Sequence, residues 1–290
     1  MSTPEPFGVR ADRATSRVLF WGLFDDAAVF PPGLTPLPQA VLDHVARQSS
    51  SYADLVGPLL LPASAIDNLM KLKHPWLEVA LVGLPGSSST ALVGEALYRL
   101  KEHPAVTVIG VEILWSPDWH RTDGWGTPRS IEVLSGAGLE DALTDIQVHA
   151  DDANPVQATF RTGSTQEQPA PTSTDLAIFI RACVHHDLSF KLTGGLHRAI
   201  SRTTSAGEGQ PGFLNVIAAT WRALSDAAEI AELESMLSQR DPGTIVKIIT
   251  SMSDAEASVV RAFFTSYGCC GVADPIGDLA TLGLIRETNP

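Results

Sequence analysis

The chain predicts a single (β/α)8 TIM-type barrel, and three observations carry that expectation. Short apolar or alternating segments recur along it, mostly separated by stretches with helical spacing, and such alternation implies a parallel sheet. Eight such units fit within 290 residues, an ordinary size for a closed barrel. No G-x-G-x-x-G follows any early strand, which weakens the competing arrangement, a doubly wound open sheet built to bind a dinucleotide.

Residues 1–17 read as a flexible arm and 18–290 as one domain. Residues 18–30 are largely apolar apart from Asp25 and Asp26. They stop at Pro31 and Pro32, which cannot continue a ladder or a helix, so strand one is placed over 24–30. Leu37, Val41 and Val45 repeat at helical spacing through 37–48. G-P-L-L-L-P at 57–62 is strand two, 63–73 a helix, and L-E-V-A-L-V-G-L at 77–84 strand three. A serine-led helix covers 88–102, and strand four covers 106–115. The Trp-, Gly-, Asp- and Pro-rich stretch 116–130 is too long for a plain connection, so it is a lid or a packed surface loop. Residues 131–143 are weakly helical. D-I-Q-V-H-A-D at 145–151 alternates and is assigned as strand five, followed by V-Q-A-T-F-R-T-G at 156–163 as strand six. A helix at 174–186 leads into strand seven, L-S-F-K-L-T at 188–193. Residues 212–268 hold more helix than one unit needs, which predicts a helical insertion between strands seven and eight. Y-G-C-C-G-V-A at 267–273 is the last strand.

Composition narrows the function. With 44% hydrophobic and 18% charged residues the chain can bury a large core and is too apolar for disorder. No run approaches the roughly 18 apolar residues of a membrane helix. Arg10, Arg13 and Arg17 have no apolar stretch behind them, so the N-terminus does not read as a secretory signal. A net charge of −13 argues against a nucleic-acid or acidic-membrane surface. Three cysteines, two adjacent at Cys269 and Cys270, make no disulfide framework. The expectation is a cytoplasmic protein without a cofactor, whose partner is a small anionic substrate; a homo-oligomer is allowed.

The strand faces suggest where that substrate goes. Strand six opposes Ala158 and Phe160 to Gln157, Thr159 and Arg161, and strand seven opposes Leu188, Phe190 and Leu192 to Ser189, Lys191 and Thr193. Strand four carries Glu112 on the parity of Val108 and Gly110; the assigned strand five carries His149 with Gln147. A purely structural barrel fills its interior with Val, Ile and Leu, because an unpaired buried ion costs several kcal/mol. Ionisable residues on three or four inward faces therefore read as a site, against the plainer alternative of a polar core network. Lys191, Glu112 and His149 are the catalytic candidates. Arg161 on the strand beside Lys191 would lower the lysine pKa and make it a nucleophile or base; equally, both cations would form an anion clamp. Glycines after strands six to eight suit a phosphate seat, with Thr162, Thr193, Gly194 and Gly195 as donors and His197 and Arg198 at the rim. Cys269 and Cys270, without a histidine in the same motif, read as buried packing.

D-A-A-V-F-P-P at 26–32, L-L-P-A-S at 60–64, F-R-T-G at 160–163, F-K-L-T-G-G-L-H at 190–197 and G-F-L-N at 212–215 resemble, over nearly the full length, a bacterial protein family without an assigned function. The resemblance implies a histidine in relatives where this chain has Arg198 and another at Pro211, which sets those two positions apart from the shared chemistry. It carries no substrate. The reading is thus a lyase of the aldolase kind acting on an anionic, in one version phosphorylated, carbonyl compound through Lys191. The alternatives are a metal-assisted isomerase or hydrolase using Glu112, His149 and Asp151, and an inactive barrel that binds partners through its proline-rich 30–38 segment.

Overall fold

Eight parallel strands close on themselves in the computed structural model, which describes residues 17–84, 89–150, 155–165, 169–204, 207, 209–225 and 227–286. In chain order the strands are β1 (Phe24–Asp26), β2 (Val56–Pro62), β3 (Leu77–Val82), β4 (Val106–Leu114), β5 (Arg129–Val133), β6 (Val156–Arg161), β7 (Phe190–Thr193) and β8 (Phe264–Cys269). Each pairs in parallel with its sequence neighbours, and β8 pairs with β1 to complete the ring. The expected barrel is therefore observed. The expected arm lies outside the described residues apart from Arg17.

Helices α1 (Leu37–Arg47), α2 (Ile66–Leu69) and α3 (Ser89–Leu100) follow the first three strands, and α4 (Leu139–Val148) and α5 (Ser173–His185) follow β5 and β6. Among the described residues four helices lie between β7 and β8, in keeping with the expected insertion: α6 (Phe213–Ala223), α7 (Ile230–Ser238), α8 (Pro242–Ser251) and α9 (Asp254–Phe263). α10 (Ala273–Thr281) follows β8. Outward strand residues build the main core against these helices. Phe160, Phe179, Phe190 and Phe264 pack in sequence at ring-centroid distances of 4.6, 5.4 and 5.5 Å, the middle pair edge-on and the outer two stacked, locking β6, α5, β7 and β8 together. Among the described residues no helix is long and apolar enough to cross a membrane.

The fifth strand departs from expectation. Residues 145–151 do not form it: up to Val148 they belong to α4, whose Leu139, Ala142, Leu143 and Ile146 make one buried helical face. β5 is R-S-I-E-V, from the end of the segment read as a loop and the start of the one read as weakly helical. The connection from β4 to β5 contains the 3-10 helix Trp119–Trp125, which packs against α3. Trp115 and Trp119 both donate to Asp145 Oδ2, at 2.9 and 2.7 Å, fastening that connection to α4.

Candidate active site

Alternation along F-K-L-T sends Phe190 and Leu192 outward, fully buried, and turns Lys191 into the barrel. Its ammonium lies 2.6 Å from Asp25 Oδ2 on β1 and also contacts Glu112 Oε1 on β4. β1, β4 and β7 are not neighbours in the ring, so these side chains meet only across the barrel axis. All three are buried, at 3% exposure or less for Asp25 and Lys191 and 6% for Glu112. Ser266 of β8 adds a hydrogen bond to Asp25 Oδ2 at 2.8 Å. Gly57 on β2 makes room for the same carboxylate, since a Cβ there would lie 2.2 Å from Asp25 Oδ1. Thr159 on β6 pairs in register with Lys191, is fully buried on the inward parity, and its hydroxyl has no hydrogen-bond partner.

Charge in this cluster is unbalanced: two carboxylates face one ammonium. Burial opposes the charged lysine, but the Asp25 and Glu112 carboxylates outweigh it and raise the Lys191 pKa above its ordinary value. Burial raises Asp25 despite the opposing pull of Lys191. The expectation of a lysine lowered by Arg161 is corrected here. Arg161 sits two residues beyond Thr159, about 6.6 Å nearer the C-terminal end of the barrel. It makes a forked ion pair with Glu132 of β5, Nε to Oε1 at 3.0 Å and Nη2 to Oε2 at 3.2 Å. The groups that set the lysine's state are the carboxylates beside it.

Above this floor the mouth has two unlike walls. Ala27, Leu60 and Ala80, with Phe30 and Val82 against them, form an apolar cluster separate from the main core, on the β1–β3 side. Glu132, Arg161 and Thr193 line the β5–β7 side, where Thr193 Oγ1 would stand 3.5 Å from a Cβ on Gly268. Gly194 lies under the guanidinium: its φ is +59°, and a Cβ would come 2.9 Å from Arg161 Nη1. The R-T-G and T-G-G turns pack on one another so closely that a Cβ on Gly163 would meet Gly194 O at 2.2 Å. Thr162 is not a donor to the mouth, because its hydroxyl is directed at Thr193 O and Gly194 O at 3.3 and 3.2 Å. Gly195, at φ +143°, fits against that same hydroxyl.

Two other candidates stand elsewhere. His149 caps the C-terminal end of α4 outside the barrel, with Nδ1 2.8 Å from Asp145 O and its ring 5.6 Å from that of His120. It does not join Glu112, and its metal partner Asp151 lies outside the described residues, so that metal set is not assembled. Among the described residues no group of three or more His, Cys, Asp or Glu side chains is placed to hold a metal ion. Arg198 is 49% exposed and pairs with Asp278 of α10 at 2.7 Å, tying the loop after β7 to the closing helix. His197, by contrast, remains at the mouth, with Nδ1 3.5 Å from Cys270 Sγ just after β8.

Asp25, Glu132, Thr159 and Ser266 were not among the expected site residues. Asp26, next to Asp25 in sequence, faces outward, where Arg47 of α1 pairs with it at 2.5 Å and His44 Nδ1 of the same helix lies 3.0 Å away. The Asp25-Asp26 pair in an otherwise apolar run was the available signal. Comparison with models of known protein families and with curated proteins finds no match.

Proposed function

We propose that the chain is a lyase acting on a small anionic carbonyl compound, with Lys191 as the amine that engages the carbonyl carbon and Asp25 and Glu112 as its proton-exchanging partners. One observation carries the reading: a buried ammonium is held by two carboxylates at the floor of a closed barrel, Lys191 Nζ to Asp25 Oδ2 at 2.6 Å. A buried ion set with an excess carboxylate is poor packing material beside apolar fill of the same volume, but it suits acid–base chemistry. Barrels gather their reactive side chains toward the C-terminal mouth, onto which this floor opens, although the fold by itself assigns no reaction.

The substrate's carboxylate or phosphate rests against Arg161 and the Gly194 turn. Lys191 passes a proton to Asp25, which burial makes the readier acceptor. The freed amine adds to the carbonyl carbon, a C–N bond forms as the C=O π bond breaks, and the new ammonium passes one proton to the oxygen. Water then leaves with the proton that Asp25 returns, giving an iminium on Lys191. Glu112 takes the proton of a β-hydroxyl, the adjacent C–C bond breaks, and its electrons pass to the iminium nitrogen; Glu112 then returns the proton to the enamine carbon, and water hydrolyses the iminium to release the product and restore the Lys191 ammonium. Borohydride reduction in the presence of a panel of 2-oxo acids and phosphorylated hydroxyketones, read by peptide mass spectrometry, tests this. A reduced adduct on Lys191 supports it, and absence of any adduct across the panel rejects it.

A second reading has its own support, the raised pKa of Lys191. An ammonium that stays protonated would polarise a carbonyl oxygen while Glu112 moves the α-proton, which is isomerisation. Exchange of the α-proton in deuterated water without a trappable adduct would favour it.

A further inference from the structure

The loops that follow β1, β7 and β8 converge on one side of the mouth, since these strands are consecutive in the ring. Cys270 stands at that convergence. Its Cβ would meet a Cβ on Gly33, in the loop after β1, at 3.2 Å. Its Sγ lies 3.5 Å from Nδ1 of His197, a residue 73 positions earlier in the loop after β7. Of the three cysteines, Cys183 and Cys269 are buried and Cys270 is half-buried. The mouth therefore holds a reachable thiol with an imidazole nitrogen at hydrogen-bonding distance, the arrangement that activates a thiol by general-base removal of its proton.

We propose that Cys270, with His197 as its proton acceptor, is a covalent-modification site at the barrel mouth for small α,β-unsaturated carbonyl compounds. The thiol is a soft nucleophile, and addition at the β-carbon needs no leaving group and no oxidant. The Sγ–C bond forms as the C=C π bond breaks, the thiol proton passes to His197 Nδ1, and the imidazolium then protonates the α-carbon. Sulfur keeps its oxidation state. The resting charges agree with a neutral donor–acceptor pair. Burial lowers the His197 pKa, helped by Arg202 and opposed by Asp274. Burial also raises the Cys270 thiol, against the backbone N–H groups of Cys270 and Gly33, and Asp274 adds to the rise. Such a thiol gains little from spontaneous ionisation, so its reactivity depends on the histidine.

The probe is N-ethylmaleimide on the full-length native protein, with labelling of each cysteine followed over time by peptide mass spectrometry. Cys270 is expected to label before Cys183 and Cys269, and faster than glutathione at the same pH. His197→Gln is expected to slow Cys270 about tenfold or more, with the melting temperature recorded to confirm folding. An unchanged rate in His197→Gln would reduce Cys270 to an ordinary exposed thiol. If that variant does not fold, the wild-type comparison decides alone: a rate below that of glutathione overturns the proposal.

Discussion

Replacing Lys191 with methionine tests the buried ion cluster most directly. Methionine matches the lysine stem in length and can fill the barrel axis, so the change removes little besides the charge. It leaves Asp25 and Glu112, 3% and 6% exposed, facing each other without a cation. Breaking a buried pair by deleting one partner costs roughly 3–5 kcal/mol, and an excess carboxylate was present already. The loss must depend on pH. Burial already raises Asp25 against the pull of Lys191, so without the lysine its folded-state pKa stands further above the unfolded value of about 3.9 and the folded state binds more protons. Stability then falls as pH rises from the unfolded toward the folded pKa. The gap to wild type is expected to be small near pH 4.5 and full at pH 7.5. Urea unfolding at the two pH values measures it. The triple variant Lys191→Met/Asp25→Asn/Glu112→Gln, which removes all three charges, should recover most of the loss. A Lys191→Met deficit under about 1 kcal/mol at pH 7.5, or one that does not change with pH, would show that the carboxylates are not held as described.

Two further substitutions bear on the same floor. Thr159→Val removes a fully buried hydroxyl that has no partner, so thermal unfolding should show equal or greater stability, by about 1 kcal/mol; a clear loss would mean that the hydroxyl is bonded. Gly57→Ala puts a Cβ where the Asp25 carboxylate now lies, 2.2 Å from Oδ1. It should cost about 1–3 kcal/mol in urea unfolding and lower any borohydride-trapped yield on Lys191, whereas wild-type behaviour in both would place Asp25 elsewhere.

How far the site was legible depended on strand length. β6 and β7 alternate cleanly, with Thr159 and Arg161 opposed to Ala158 and Phe160, and Lys191 opposed to Phe190 and Leu192. Their inward faces therefore followed from period two alone. β1 is only Phe24–Asp26, too short to display a period, so nothing local told Asp25 from Asp26 although one faces the axis and the other α1. D-I-Q-V-H-A-D misled for the opposite reason. It alternates, yet Leu139, Leu143 and Ile146 before and within it keep helical spacing, and tertiary packing follows that longer pattern. The R-S-I-E-V strand was hidden behind a Gly-, Pro- and Trp-rich loop, and Glu132 with it. The partnership of His197 and Cys270 spans two loops and has no sequence-local trace.

The two unlike walls of the mouth have a stereochemical consequence. A planar carbonyl carbon has two faces, and an amine adding to one or the other yields opposite configurations. With Arg161 fixed by Glu132 on one side and Leu60, Ala80 and Phe30 on the other, a ligand bearing an anionic end and an apolar end has one orientation in which both are met. Under the proposed amine addition, that orientation would turn a single face toward Lys191. For the proposed lyase this predicts reaction with one enantiomer, a handedness imposed by the barrel's asymmetry rather than by the lysine.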